Sequence, residues 1–210
     1  MITSSPAPRV MQASMPGAKT GETLRVGDGG LEVRRLATGD LTPADMNQLR
    51  SLLLAAFAED QHGGFSEDDW QHALGGCHYV LEVDGGIVSH AAVVERELHV
   101  DGRPLRTGYV EAVATTPQHQ RRGYGTAIMR EVNSDIAEQY ELGALGTGSQ
   151  SFYERLGWQT WRGPSYVRTT AGLQATPDED GYILVLFTPS SPPLDPTEPI
   201  SCDWRAGDVW

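Results

Sequence analysis

Val110-Glu111-Ala112-Val113-Ala114-Thr115, followed after four residues by Gln120-Arg121-Arg122-Gly123-Tyr124-Gly125, is the stretch on which the reading of this chain turns. The first segment is apolar and β-branched apart from Glu111 and reads as the end of a strand. Glycines at 123 and 125, just before a run with helical spacing (Ile128, Val132, Ile136, Tyr140), let the backbone curl so that several N–H groups converge. A helix N-terminus adds roughly half a positive charge there, and Arg121 and Arg122 bring charge-assisted donors. Such a loop suits a pyrophosphate. Without a lysine it is not the nucleotide loop G-x-x-x-x-G-K-[ST], and its glycine spacing is not that of the dinucleotide fingerprint.

Working outward, 31–36 reads as a first strand. Thr42-Pro43-Ala44-Asp45 opens a helix over 43–58, and Ser66-Glu67-Asp68-Asp69 caps a shorter one through Leu74. Residues 79–83, 87–100 and 105–115 form a strand meander, punctuated by Asp84-Gly85 and Asp101-Gly102, dipeptides suited to tight hairpin turns. A helix over 123–140, a strand at 144–146, a short helix over 150–156 and a strand at 182–187 follow. The segment after Pro189 is proline-rich and reads as irregular. Its two tryptophans, Trp204 and Trp210, predict that this end docks on the domain. The order implies a mixed α/β sheet in one domain over 26–210, with residues 1–25, rich in Ser, Pro, Gly and Ala, as a loose tail.

Composition narrows the function. A formal net charge of −12 opposes binding to a nucleic-acid backbone and favours encounter with a cationic partner. No run of eighteen apolar residues is present, so no membrane span is expected, and the N-terminus lacks a signal-peptide core. Two isolated cysteines, Cys77 and Cys202, fit a reducing, cytoplasmic setting. The histidines show no ligand spacing, so no metal is expected. Cys77-His78 is not read as a nucleophile and its base, because adjacent strand residues point to opposite faces. Lys19 is the only lysine, against fifteen arginines.

The strand-and-loop pair, Val110 to Thr115 and then Gln120 to Gly125, resembles the acetyl-coenzyme A motif Q/R-x-x-G-x-G/A of the GNAT acetyltransferase superfamily, and the element order resembles that fold. The resemblance implies acetyl-coenzyme A as co-substrate. Its pantetheine arm would lie along freed backbone groups of Val113, Ala114 and Thr115, and its pyrophosphate in the loop Gln120, Arg121, Arg122, Gly123, Tyr124, Gly125. Glu111, the only carboxylate in its apolar strand, reads as the base, acting through water or by holding the cation. Ser151-Phe152-Tyr153…Gly157-Trp158 matches the family pattern in which the tyrosine, here Tyr153, protonates the leaving thiolate.

A closer resemblance, to the aminoglycoside 2'-N-acetyltransferases of mycobacteria, rests on four segments. These are Gly108-Tyr109-Val110-Glu111, Gly143-Ala144-Leu145, Thr176-Pro177-Asp178-Glu179-Asp180-Gly181 and the ending Cys202-Asp203-Trp204-Arg205-Ala206-Gly207-Asp208-Val209-Trp210. It implies a small polycationic acceptor, a homodimer, and an acceptor site lined by Asp60, Asp69, Glu111, Ala112, Gly146, Asp178, Glu179, Asp208 and Trp210. Gly146 departs from the pattern, since a member of that family has serine there, and Asp60 abuts an insertion, Gln61-His62-Gly63-Gly64. An acetyltransferase of a cell-wall or metabolic amino sugar, and a noncatalytic aminoglycoside binder, are the competing readings.

Overall fold

The computed structural model describes residues 23–26, 31–58 and 64–210; Asp60 and most of the 1–25 segment lie outside them. Strands β1 (Thr23–Val26) and β2 (Leu31–Ala37) form an antiparallel pair, so regular structure begins inside the segment read as tail. Helix α1 (Pro43–Ala56) starts at a capping box in which Thr42 and Asp45 satisfy each other's backbone N–H, with Pro43 at the first position. Helix α2 (Glu67–Ala73) repeats the device with Ser66 and Asp69.

The meander follows as β3 (Cys77–Val83), β4 (Gly86–Val100) and β5 (Arg103–Thr115). Its two turns carry positive φ at both central residues, 52° and 80° at Asp84 and Gly85 and 46° and 74° at Asp101 and Gly102, as two-residue hairpins require. Then come α3 (Tyr124–Gln139), β6 (Leu142–Gly146), α4 (Gln150–Glu154), β7 (Gln159–Thr160), β8 (Ser165–Thr169), β9 (Gly172–Ala175), β10 (Ile183–Phe187) and β11 (Ile200–Asp203). The main sheet runs β1-β2-β3-β4-β5-β6-β10-β7, and β11 joins the far end of β4 to β8. Pairing is antiparallel except for β5–β6 and β11–β8, which gives the mixed, mostly antiparallel α/β sheet expected.

Three apolar clusters hold the layers. One lies beneath α3 and α4 with Ile128, Met129, Val132 and Trp158, and one beneath α1 and α2 with Leu49, Leu53 and Trp70. The third surrounds β10 and β11 with Trp161, Ile183 and Ile200. Fully burying each such side chain contributes about 1.5–3 kcal/mol. Among the described residues no helix is long and apolar enough to cross a membrane.

Candidate active site

Strands β5 and β6 pair only at Thr107–Leu142, Gly108–Gly143 and Tyr109–Ala144, after which they separate. From Val110 on, β5 keeps its ladder with β4 and presents its other edge to an opening. A β-bulge sits in this stretch. Ala92 pairs with Glu111 and His90 with Ala114, so Ala112 and Val113 together face Ala91. Ala112 adopts φ 52°, which is unusual for a residue with a side chain. The extra residue puts consecutive side chains on one side of the sheet. Val110 and Val113 join the cluster beneath α3, whereas Ala112 and Ala114 join the one beneath α1 and α2.

The loop after β5 is built to receive an anion. Arg121 (φ 59°) and Gly123 (φ 84°) are both left-handed, and Gly123 is the N-cap of α3 with no side-chain cap. The first-turn N–H groups of a sixteen-residue helix are therefore open. Gly123 is required by its φ; Gly125 is not sterically required, because a Cβ there would make only ordinary contacts with Phe152 and Thr115. Arg121 and Arg122 are exposed and form no ion pair among the described residues, and the Gln120 side chain donates to the Thr115 carbonyl (3.3 Å). An open strand edge ending in an N–H cradle with two free cations fits a long ligand with amides at one end and a pyrophosphate at the other.

Beside the opening, the C-terminal peptide folds back as a hook. Trp210 is buried, its indole N–H donates to Thr176 Oγ1 (3.1 Å) and its backbone N–H to Asp208 Oδ1 (3.1 Å). Arg96 donates to the Val209 carbonyl (2.8 Å), and the His72 ring lies 2.8 Å from the Ala206 carbonyl. Trp204, by contrast, is exposed, so only one of the two terminal tryptophans docks. At the hook's centre the Arg205 guanidinium donates to Glu111 Oε1 at 2.6 Å and to the Asp208 carbonyl at 2.7 Å. Burial pushes the Glu111 carboxyl above its ordinary range, with Asp208 acting in the same direction. The Arg205 and Arg96 cations pull it back. Glu179 is also raised, by burial and by Asp208 and Asp178, so the last third of the chain gathers carboxylates around one space. Tyr109 forms the floor under Arg96 (4.5 Å from ring centroid to guanidinium) and Arg205 (5.6 Å). Its hydroxyl and Arg96 Nη1 are buried with no hydrogen-bond partner among the described residues. Buried polar atoms left this way call for a ligand or water.

Tyr153 lies on the other side of the opening, in the cluster with Val110 and Leu145, its ring edge-on to Phe152 and Trp158. Its hydroxyl has no partner among the described residues, and burial alone raises its pKa. It therefore carries its proton at neutral pH.

Residues 38–161 match the acetyltransferase (GNAT) domain family. The chain is 40% identical over 181 residues to an aminoglycoside 2'-N-acetyltransferase of Mycolicibacterium fortuitum, a match spanning 84% of this chain and 91% of that protein. The chain belongs to the GNAT acetyltransferases. Solved structures share the fold at low identity. A GNAT family acetyltransferase from Brucella melitensis in complex with acetyl-CoA has a TM-score of 0.55 at 18% identity, covering 83% of this chain and 96% of that one. Escherichia coli YhbS in complex with CoA has a TM-score of 0.55 at 15% identity, covering 89% and 92%.

In this GNAT chain the residues expected to serve the acceptor divide into two groups. Glu111, Asp208, Glu179 and Asp178 are electrostatically coupled in series, and Gly146 lies beside them. A Cβ on Gly146 would sit 3.4 Å from the Trp210 main-chain carbonyl carbon and 3.6 Å from the Tyr109 hydroxyl. Asp69 is different, because its Oδ2 already accepts from the Ser66 N–H (2.8 Å) and hydroxyl (2.8 Å) as the α2 cap. Asp180 is likewise committed, to the Ser165 N–H and hydroxyl (2.8 Å each). Asp60 is outside the described residues. Arg205, Tyr109, Arg96, Thr176 and His72 were not anticipated. The signal for Arg205 was its position as the one cation in an otherwise acidic terminal peptide. Cys77 and His78 do face opposite sides of the sheet, Cys77 toward α3 and His78 into the interior beneath α1. Among the described residues no group of His, Cys, Asp and Glu could hold a metal ion.

Proposed function

We propose that the protein transfers the acetyl group of acetyl-coenzyme A to the 2'-amine of aminoglycosides by direct attack within a ternary complex. The observation that carries this reading is the junction of two sites at Glu111. On one side is a strand edge ending in an anion cradle; on the other is a carboxylate-lined hook closed by the docked Trp210. A neutral amine must meet the thioester carbon, the N–C bond forms as the C–S bond breaks, and one proton leaves the amine while another reaches the thiolate. Glu111, the β5 residue that meets the hook, takes the amine proton through water and passes it to solvent. Main-chain N–H groups near Val113 donate to the thioester oxygen and stabilise the negative charge that develops on it. Tyr153 gives its proton to the departing sulfur. Val113, Ala114 and Thr115 would hold the pantetheine arm, and Gln120 to Gly125 the pyrophosphate. Most of the rate comes from holding amine and thioester together, worth about 7–11 kcal/mol.

Asp178, Glu179 and Asp208 bind the ammonium groups and set which one reaches the thioester, while the Tyr109 hydroxyl and Arg96 Nη1, both without a partner among the described residues, meet ring hydroxyls. Displacement of Arg205 from Glu111 by a substrate cation is part of binding. The two isolated cysteines support a cytoplasmic setting, and resemblance to relatives supports a homodimer. The test is the position of the new amide. Product from kanamycin B is predicted to carry its acetyl on the 2'-nitrogen by two-dimensional NMR; acetylation at another nitrogen refutes the register, and absence of product refutes the acceptor class.

A further inference from the structure

Beneath the bulge runs a chain of hydrogen bonds that the chemistry above does not use. Thr38 Oγ1 lies 2.9 Å from His78 Nε2, His78 Nδ1 lies 3.0 Å from His90 Nε2, and His90 Nδ1 lies 2.8 Å from the carbonyl oxygen of Ala112. Both rings are completely buried. The carbonyl can only accept, so His90 carries its hydrogen on Nδ1 and accepts at Nε2. His78 must then donate from Nδ1 and accept at Nε2 from the Thr38 hydroxyl. Thr38 Oγ1 in turn receives the Gly75 N–H (2.9 Å), and its one proton goes to His78 Nε2 rather than to the more distant Gly76 carbonyl (3.3 Å). One set of tautomers satisfies every link, and both rings are neutral in it. Burial, which draws His78 down to about 4 and His90 down to about 3, agrees with that. A chain that ends on a carbonyl cannot hand on a proton, so it is not a proton relay.

Its effect is geometric. Ala112 is left-handed without being glycine, a conformation that persists only where the surroundings hold it. The bulge turns its carbonyl out of the β4–β5 ladder, and His90 is the donor that meets it.

We propose that His90, backed by His78 and Thr38, is a positioning residue for acetyl transfer, locking the Ala112 carbonyl inward so that Glu111 faces the hook and the Val113 N–H faces the splayed edge. This rests on the reaction proposed above, and its test separates the two. His90→Leu removes the donor; His90→Asn places an amide N–H near the Nδ1 position, whereas His90→Gln places it near Nε2. Loss of one buried hydrogen bond is worth about tenfold. We expect kcat to fall at least tenfold in H90L and H90Q and to be largely restored in H90N, with acetyl-coenzyme A affinity following the same order, because Val113 also holds the pantetheine arm. T38V, at the far end of the chain, should show a smaller loss of the same kind. Should H90L not fold, the contrast between H90N and H90Q carries the test. Crystal structures supply a readout that needs no acceptor, since Ala112 should leave the left-handed region in H90L and keep it in H90N. Equal kcat across the folded variants, or Ala112 unmoved in H90L, would overturn the proposal. An inactive wild type with the predicted change at Ala112 would count against the acceptor and support the positioning role.

Discussion

Arg205→Gln is the perturbation that most exposes the electrostatics of the acceptor site. The pair it removes has an N–O distance of 2.6 Å, with 17% and 13% of the two side chains exposed, so little water screens it. Two unit charges about 4 Å apart attract by about 4 kcal/mol at an effective dielectric constant of 20. After desolvation, a hydrogen bond to a charged group retains about 1.5–3 kcal/mol, which makes ionisation of Glu111 about ten- to a hundredfold less favourable once the cation is gone. The sign follows from the causes. Burial already raises the Glu111 pKa and Arg205 opposes it, so the neutral variant raises it further. The base must be ionised to act, and the acid limb of kcat/KM against pH, which reports the free enzyme, should move to higher pH. Below the native limb the variant should therefore be about ten- to a hundredfold slower, converging with wild type at high pH. Arg205→Lys keeps the charge but loses the paired contacts to the Asp208 and Trp210 carbonyls, and its limb should stay near the native position. The acceptor amine titrates identically in all three assays, so the difference belongs to the enzyme. Carbon-13 NMR of labelled glutamate follows the Glu111 carboxyl directly. An unmoved limb in R205Q, or one displaced to lower pH, would refute the reasoning.

Tyr153→Phe should lower kcat by about ten- to a hundredfold, the upper part of the loss recovering with an acyl donor whose thiol is a better leaving group, while acetyl-coenzyme A binding by calorimetry is unchanged. Asp208→Asn should weaken a polycationic acceptor most at low ionic strength, and the difference from wild type should shrink between 20 mM and 500 mM salt, about one Debye screening regime to the next. Gly207 has φ 72°, and a Cβ there would lie 2.7 Å from that of Asp68, so Gly207→Ala is strained and crowded at once. Its thermal midpoint should fall by an amount equivalent to about 1–3 kcal/mol, with acceptor KM rising because the hook no longer closes on α2.

The meander, the helices and the anion loop were legible in the sequence because each carries a local cause. Asp84-Gly85 and Asp101-Gly102 dictate their turns, Thr42-Pro43 and Ser66 cap their helices, and Gly123 permits the φ of 84° on which the cradle depends. What stayed hidden depends on partners far along the chain. Strand β11 follows directly on a proline-rich run and becomes a strand only by lying between β4 and β8. Strand β9 is exposed throughout and pairs with β8 alone, so it shows no burial alternation to read. Arg205 and Glu111 are 94 residues apart, and nothing local marks either as the other's partner. Asp69 was legible twice over, as a cap and as an acceptor ligand, and its bonds to Ser66 show the first role in place. The bulge at Ala112 had no sequence signature, since alanine is a poor choice for positive φ; His90 and His78, which hold it, lie on other strands.

The central claim is that the site joins an acetyl-coenzyme A cleft to an acceptor hook that presents a 2'-amine to the thioester. Its most direct test is the rate of coenzyme A release with kanamycin B, which bears a 2'-amine, against kanamycin A, which bears a hydroxyl there. Fast release with kanamycin B and release near background with kanamycin A is the predicted result. Equal rates with the two, or no release with either while acetyl-coenzyme A still binds, would contradict it.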